Sequence, residues 1–140
     1  MKNFPEPVTG AVIINPENKV LLVKSHKWHE NYSVPGGHVE LGETLENSVK
    51  REVKEETGLE IHDLEFLGVQ EFIFDKIFWK KKHFLFFDYM CKTDCKEVTL
   101  NSEASRFIWI SPKDALKRRN VSPYAKRSIK WSLKKGPMEE

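Results

Sequence analysis

One short stretch of the sequence is rich in glutamate and holds an arginine, and its candidate site residues are Glu43, Arg51, Glu52, Glu55 and Glu56. Carboxylate oxygens are hard ligands, and a set without histidine or thiolate favours Mg²⁺ or Mn²⁺ over zinc or copper. Clustered carboxylates also repel one another, and a cation between them removes that repulsion. The residue types therefore point to a divalent-cation site.

A helix is the element that must position these side chains. Residues 44–57 contain no proline or glycine, and Gly58 lies where a left-handed helix end is expected. An apolar stripe on this predicted helix is formed by residues spaced four apart, Leu45, Val49 and Val53. Glu56 falls inside that stripe and Glu52 borders it, so both carboxylates are predicted to point toward the protein interior.

A simpler explanation of these charges is a solvated acidic helix face, neutralised by Lys50, Arg51 and Lys54. Lysine side chains, however, cannot reach into an apolar stripe without losing their hydration. A divalent cation accounts for both the inward position of the acids and their mutual repulsion. We therefore favour the cation site.

The stretch from Gly37 to Leu59 resembles the Nudix box, G-x5-E-x7-R-E-U-x-E-E-x-G-U, where U is an aliphatic residue. It matches the motif at every specified position, and Pro35 and Gly36 before it are also common around this box. The resemblance implies an α+β fold, the Nudix α/β/α sandwich with a mixed β-sheet. We expect residues 1–140 to form this single domain.

The resemblance also implies a hydrolase that uses Mg²⁺ or Mn²⁺ to cleave a nucleoside diphosphate linked to a group X. The implied metal ligands are the carboxylates of Glu52, Glu55 and Glu56 and the backbone carbonyl of Gly37. Arg51 is implied to hold the glutamates in place. Glu43 is either a residue of the metal and substrate site or an orienting residue near the helix N-terminus.

Three features outside the helix complete the candidate site. Glu103 resembles the position of a later acid that serves as a further ligand or as the general base, with an ordinary loop glutamate as the alternative. Gly36 and Gly37 permit a close backbone approach of the substrate. Trp28 is a candidate for stacking on a nucleobase. The same role and a core position are the two alternatives for four other aromatic residues, Tyr32, Phe72, Phe74 and Trp79.

Other chemistry-bearing groups receive simpler interpretations. His26, His29 and His38 lack the spacing of a transition-metal site and are predicted to be solvated loop residues. Cys91 and Cys95 are too few for a disulfide framework and are predicted to be a strand thiol and a loop thiol. The basic region 113–135 is predicted to be a solvated helix face rather than a nucleic-acid surface, with Ile129 and Leu133 on its apolar side.

Strands are predicted over residues 8–14, 20–24, 64–74, 83–92 and 106–110, and helices over 44–57, 112–116 and 123–133. The 140 residues are 39% hydrophobic and 31% charged, which suits one globular domain, and the net charge of +2 indicates no particular partner. No apolar run is long enough to cross a membrane, so we expect a cytoplasmic protein. The sequence leaves the oligomeric state open, a homodimer included.

Substrate choice rests on weaker signals. Family members that recognise ADP-ribose often carry a proline at a set distance after the box, and those for dinucleoside polyphosphates carry a tyrosine; here that region reads Asp75, Lys76, Ile77. We therefore expect a nucleoside triphosphate, ordinary or damaged, as the substrate. The alternatives are a sensor that binds a nucleotide without cleaving it and a diphosphate isomerase on the same fold.

Overall fold

The structure is a computed structural model, and it describes residues 3–135. Its strands in chain order are β1 (Glu6–Ile14), β2 (Val20–Lys24), β3 (Tyr32–Ser33), β4 (Gly36–His38), β5 (His62–Ile73), β6 (His83–Lys92) and β7 (Arg106–Ile110). Its α-helices are α1 (Leu45–Thr57), α2 (Pro112–Lys117) and α3 (Pro123–Lys135). A short 3₁₀ turn, His26–Trp28, lies between β2 and β3.

The strands form one mixed sheet. Its main path runs β3-β2-β1-β6-β5, while β4 pairs with β1 and β7 pairs with β2. The pairing of β1 with β6 is parallel, and the other strand pairings are antiparallel. The prediction of an α+β fold with a mixed sheet is confirmed.

Each face of the sheet is covered by helices, because successive strand residues point to opposite faces. Ala11 and Ile13 of β1 pack in one cluster with Val53 of α1. Val12, between them in sequence, packs in a second cluster with Ile129 of α3. These two cores give the three layers of the predicted α/β/α sandwich.

Helix α1 has the ends that the sequence predicts. The Thr44 hydroxyl accepts a hydrogen bond from the backbone N–H of Asn47 at 3.1 Å, which caps the N-terminus. Gly58 adopts a φ of 77°, a left-handed conformation that glycine takes without strain, and it ends the helix. The box is therefore held on a regular helix with a fixed start and end.

The sequence missed two short strands and misplaced one apolar residue. β3 and β4 have two and three residues, too few to show a period, and β4 pairs with the distant strand β1. The prediction that Leu133 lies on the apolar side of α3 was wrong, because that side chain is 42% exposed. The buried stripe of α3 runs through Ile129 to Ser132 and leaves Leu133 at the solvent edge.

Within residues 3–135, no helix is long and apolar enough to span a membrane.

Candidate active site

Arg51 connects the glutamates of the box. Its Nε and Nη2 donate to the two carboxylate oxygens of Glu43 at 2.6 and 3.0 Å. Its Nη1 donates to Glu52 at 3.0 Å and to Glu55 at 3.1 Å, and Nη2 also reaches the carbonyl oxygen of His38 at 2.9 Å. A planar guanidinium with five N–H donors can hold several carboxylates at fixed positions. This geometry suits the positioning role predicted for Arg51.

Glu43 is engaged by Arg51 through both oxygens, and one of them also accepts from the backbone N–H of Glu40 at 2.9 Å. The hydrogen bonds from Arg51, together with that from Glu40, lower the pKa of Glu43 to about 2. Glu43 is therefore ionised and tied to Arg51, an arrangement that favours the orienting role over direct contact with substrate.

Glu56 is the buried acid of the site. It is 8% exposed, as its place in the apolar stripe predicts, and its Oε2 accepts a hydrogen bond from the backbone N–H of Gly36 at 2.8 Å. Burial raises the pKa of Glu56 to about 8, and the charges of Glu103 and Glu52 add to that rise. Among residues 3–135, no basic side chain forms a salt bridge with it. Without a cation, this carboxyl group keeps its proton at neutral pH.

Glu52 lies against the backbone of Gly37. Its side chain is 13% exposed, and burial raises its pKa despite the hydrogen bond from Arg51. A Cβ added at Gly37 would overlap the Glu52 carboxylate, and one at Gly36 would overlap the carbonyl oxygen of Thr9. The two glycines thus allow β4 to approach both β1 and α1 closely. The Gly37 carbonyl accepts a hydrogen bond from the Thr9 hydroxyl at 3.3 Å.

Glu55 and Glu103 are more exposed than the other acids. The Glu55 side chain is 55% exposed and turns toward Arg51 rather than inward. Glu103, on the loop before β7, is 47% exposed and lies 3.5 Å from Lys27 Nζ. It lines the same cavity as Glu56, so the structure brings this distant acid to the box.

A cavity of about 160 Å³ links these acids to a group of aromatic rings. We call the part lined by Gly37, Glu56 and Glu103, together with Glu52 directly behind Gly37, the acid end. We call the part formed by Trp28, Phe84, Phe86 and Asp88 the aromatic end. Trp28 meets Phe78 with ring centroids 4.7 Å apart and Phe86 at 6.2 Å, so it forms a wall of the cavity.

The other aromatic candidates lie elsewhere. Tyr32 and Phe72 are buried in core clusters. Phe74 and Trp79 are exposed, with Lys81 and Lys80 above their rings at 4.7 and 4.6 Å. Of the aromatic residues proposed to stack on a base, Trp28 is therefore the one that lines the cavity.

Asp88 and Gln70 line the cavity and were not predicted as site residues. Gln70 Nε2 donates to Asp88 Oδ2 at 2.8 Å. The available signal was an aspartate inside an otherwise apolar strand, Phe84 to Met90, because a buried charge in such a run needs a reason. Nothing in the sequence alone connects that residue to the box.

The cysteines have the environments predicted for them, and His26, His29 and His38 are exposed as predicted. The prediction that His38 lies in a loop was wrong, because it ends strand β4, and its Nε2 lies 2.8 Å from Glu6 Oε1. Cys91 is buried in β6, while Cys95 is exposed in the loop that follows.

The acid end offers oxygen donors that could hold a divalent cation. Within residues 3–135, no three or more His, Cys, Asp or Glu side chains are arranged to hold an ion as they stand. The donors are nevertheless all oxygens, which suits Mg²⁺ or Mn²⁺. Glu56 is buried with two like charges near it and only a weak counter-charge from Lys27. The residues fit such a cation by donor type and by charge.

The NUDIX domain family model matches residues 5–132 of the chain. The protein belongs to the NUDIX family. This assignment confirms the family that the box predicted, and it extends the resemblance from the box to nearly the whole chain.

Solved structures of similar shape agree with this assignment. The MutT NUDIX hydrolase from Burkholderia pseudomallei superposes with a TM-score of 0.78 at 21% identity, covering 92% of this chain and 98% of that one. The NUDIX domain of Shewanella oneidensis NrtR, solved with ADP ribose, gives 0.78 at 19% identity and covers 96% and 90%. At these identities the likeness shows the fold alone.

Curated relatives match over shorter segments. The NAD-capped RNA hydrolase NudC of Vibrio atlanticus is 43% identical over 65 residues, which cover 45% of this chain and 24% of that protein. The ADP-ribose pyrophosphatase of Methanocaldococcus jannaschii is 48% identical over 59 residues, covering 41% and 35%. The chain therefore matches about a quarter to a third of the length of these relatives.

Proposed function

We propose that this NUDIX protein is a hydrolase that depends on Mg²⁺ or Mn²⁺ and cleaves the phosphoanhydride bond of a nucleoside diphosphate linked to a group X. The observation that carries the proposal is the buried Glu56 beside Glu52 and Glu103, at one end of a cavity with aromatic walls. A diphosphate brings negative charge to a site that is already acidic. Cations that bridge substrate and carboxylates make such binding favourable.

The proposed ligands of the cation are Glu52, Glu55, Glu56, Glu103 and the carbonyl of Gly37. When bound, the ion polarises the phosphoryl group and acidifies a water molecule. Arg51 holds Glu43, Glu52 and Glu55, so its role is to position carboxylates rather than to touch substrate. The general base is Glu103 or a box glutamate that stays free of the metal.

We propose a nucleoside triphosphate as substrate, with a nucleoside monophosphate and pyrophosphate as products. The aromatic end gives a nucleobase a place to stack while the phosphates lie at the acid end. The names of the two relatives favour a second candidate, in which X carries a ribose or a second nucleoside.

An isomerase on this fold is less well supported. That activity requires a reactive cysteine at the active site. Cys91 is fully buried, and burial raises the pKa of its thiol, so it is a poor nucleophile or acid.

A substrate panel tests the proposal. The purified chain is incubated with nucleoside triphosphates, nucleotide sugars and dinucleoside polyphosphates with Mg²⁺ or Mn²⁺, and products are identified by mass. We expect cleavage of a phosphoanhydride bond that stops when the metal is chelated. Binding without conversion would indicate a sensor, and a rearranged diphosphate would indicate an isomerase.

Glu103→Gln tests the role of the later acid. The matched control is Glu97→Gln, an exposed glutamate earlier in the same connection between β6 and β7. We expect turnover to fall by more than a few fold in the Glu103 variant and to stay unchanged in the control. Turnover within a few fold of the original enzyme would remove Glu103 from the catalytic set.

A further inference from the structure

Asp88 is a buried acid that the proposed hydrolysis does not use. It lies in the middle of β6, is 3% exposed and lines the cavity at its aromatic end. Burial raises its pKa to about 6, while hydrogen bonds from Gln70 and Ser128 act in the opposite direction. A carboxyl group kept at this depth without a salt bridge costs stability, so its position calls for a function.

Gln70 fixes one side of the Asp88 carboxylate. Its Nε2 donates to Asp88 Oδ2 at 2.8 Å and to the Tyr124 carbonyl oxygen at 2.9 Å, and its Oε1 accepts from Arg127 at 3.3 Å. Both amide hydrogens of Gln70 are therefore used within the protein. The amide serves to hold Asp88 rather than to bind a ligand.

The second oxygen of Asp88 lies close to the backbone of Gly10. A Cβ added at Gly10 would lie 2.8 Å from Asp88 Oδ1 and 3.3 Å from Val34 Cγ2, so a side chain at position 10 would displace the carboxylate. Gly10 and Asp88 both line the cavity. The absence of a side chain at Gly10 therefore lets Oδ1 lie at the cavity wall.

Strand register relates this acceptor to the acid end. Asp88 of β6 pairs with Gly10 of β1, and Gly10 pairs with Gly36 of β4. Gly36 in turn donates its backbone N–H to Glu56. Two strand spacings, together about 10 Å, separate the backbones of Asp88 and Gly36. A nucleoside laid along this row directs its base to Asp88 and its phosphates to the acid end.

The walls around Asp88 favour a flat ligand. Phe84 and Phe86 have ring centroids 5.5 Å apart, and Trp28 lies 6.2 Å from Phe86. Rings arranged in this way accept the face of a heteroaromatic base. A carboxylate at the floor requires an N–H donor at the edge of that base and repels a carbonyl oxygen.

We propose that Asp88 is a specificity-determining residue that selects nucleobases carrying an exocyclic amino group. This inference rests on the proposed function for the orientation of the nucleotide. It assigns Asp88 Oδ1 as the acceptor of the amino group, Gln70 as the residue that positions the carboxylate, and Gly10 as the residue that leaves room for Oδ1.

Equilibrium binding of nucleoside monophosphates tests this proposal separately from hydrolysis. Calorimetry compares GMP with IMP, and AMP with purine riboside monophosphate, because each pair differs only by the amino group. We expect the amino-bearing member of at least one pair to bind about tenfold tighter or more. Equal affinities in both pairs, or no binding of any of the four, would overturn the proposal. Selective binding without turnover of any triphosphate would instead refute only the hydrolase.

Asp88→Asn removes the acceptor. In the wild-type protein Gln70 donates to Asp88 Oδ2. An asparagine at position 88 therefore directs its carbonyl oxygen toward Gln70 and its NH₂ group toward the cavity. We expect the preference for the amino group to fall to within about twofold, and a preference that survives contradicts the role. The control is Asp94→Asn, an exposed aspartate in the loop after β6 that should leave the preference unchanged.

Gly10→Ala gives a second test that keeps the carboxylate. The added methyl group displaces Oδ1, so the affinity for the preferred monophosphate is expected to fall at least fivefold. Thermal melting verifies that each variant is folded before binding is measured. A folded Gly10→Ala protein with unchanged affinity would show that the base does not bind at Oδ1.

Discussion

The two ends of the cavity carry buried acids in very different settings. At the acid end, Glu52 and Glu56 lie near Glu103, and the counter-charges come from Arg51 at Glu52 and from Lys27 at Glu56. At the aromatic end, Asp88 lies among aromatic rings and is held by an amide and a hydroxyl group. Several like charges in one place suit a divalent cation, whereas a single acceptor in an apolar slot suits a hydrogen-bond donor.

This difference separates two functions along one cavity. Changes at the acid end should act mainly on kcat, because the charges there are needed when the phosphoanhydride bond breaks. Changes at the aromatic end should act mainly on KM and on the choice of base. Variants at each end test that division.

Glu56→Gln is expected to lower kcat by ~10² or more, because it removes a buried charge that is proposed to bind the metal. Steady-state kinetics at saturating Mg²⁺ provide the measurement. Glu60→Gln is the matched control, since Glu60 is exposed and pairs with Lys54 at 2.9 Å away from the cavity. Near-normal turnover of Glu56→Gln would contradict the proposed role of the acid end.

The same variant is expected to stabilise the metal-free protein at high pH. The pKa of Glu56 is raised from 4.5 to about 8 in the folded state, so the unfolded chain loses this proton first. Stability therefore falls as pH rises from 4.5 to 8, and glutamine removes that loss. We expect Glu56→Gln to gain roughly 4 kcal/mol over the original protein at pH 8 and little at pH 4.

Urea denaturation with a metal chelator, at both pH values, gives these free energies of unfolding. Adding Mg²⁺ at pH 8 should stabilise the original protein more than the variant, because binding favours the folded state. An equal stability difference at pH 4 and pH 8 would show that Glu56 keeps an ordinary pKa.

Arg51→Lys is expected to lower kcat by about tenfold, since an ammonium group cannot hold Glu43, Glu52 and Glu55 in one plane. The concentration of Mg²⁺ needed for half-maximal activity should also rise. Lys54→Arg serves as the control, because it exchanges a lysine for an arginine at an exposed position of the same helix. Unchanged metal dependence in Arg51→Lys would argue against a positioning role.

Trp28→Leu is expected to raise KM by about fivefold and to change kcat much less, because it removes a stacking wall from the aromatic end. Trp79→Leu is the control, since Trp79 is exposed and does not line the cavity. If kcat fell more than KM rose, the separation of the two ends would be wrong.

The sequence predicted the acid end well and the aromatic end poorly. Most of the box lies on one helix, α1, so the order of those residues along the chain also fixed their order in space. The inward position of Glu56 followed from its place in the apolar stripe of Leu45, Val49 and Val53, and both valines are buried as expected. The ends of the helix followed from Thr44 and Gly58, whose local chemistry does not depend on distant parts of the chain.

The aromatic end depends instead on contacts between distant segments. Asp88 meets Gly10 only because β6 pairs with β1 in parallel, and Gln70 meets Asp88 only because β5 lies on the other side. The strand β4 was missed for the same reason. A single sequence shows the polar residue in an apolar strand, but the partner that gives it a role is set by the register of the sheet.

The glycine at position 10 also has a consequence for altering this protein. The amino acid at position 88 can change while α1, Arg51 and the clustered carboxylates remain untouched, because Asp88 and the box lie on different elements that meet through the sheet. If Asp88 selects the base as proposed, substitutions at this strand residue and its facing glycine alter the base preference and leave the bond-breaking chemistry as it is.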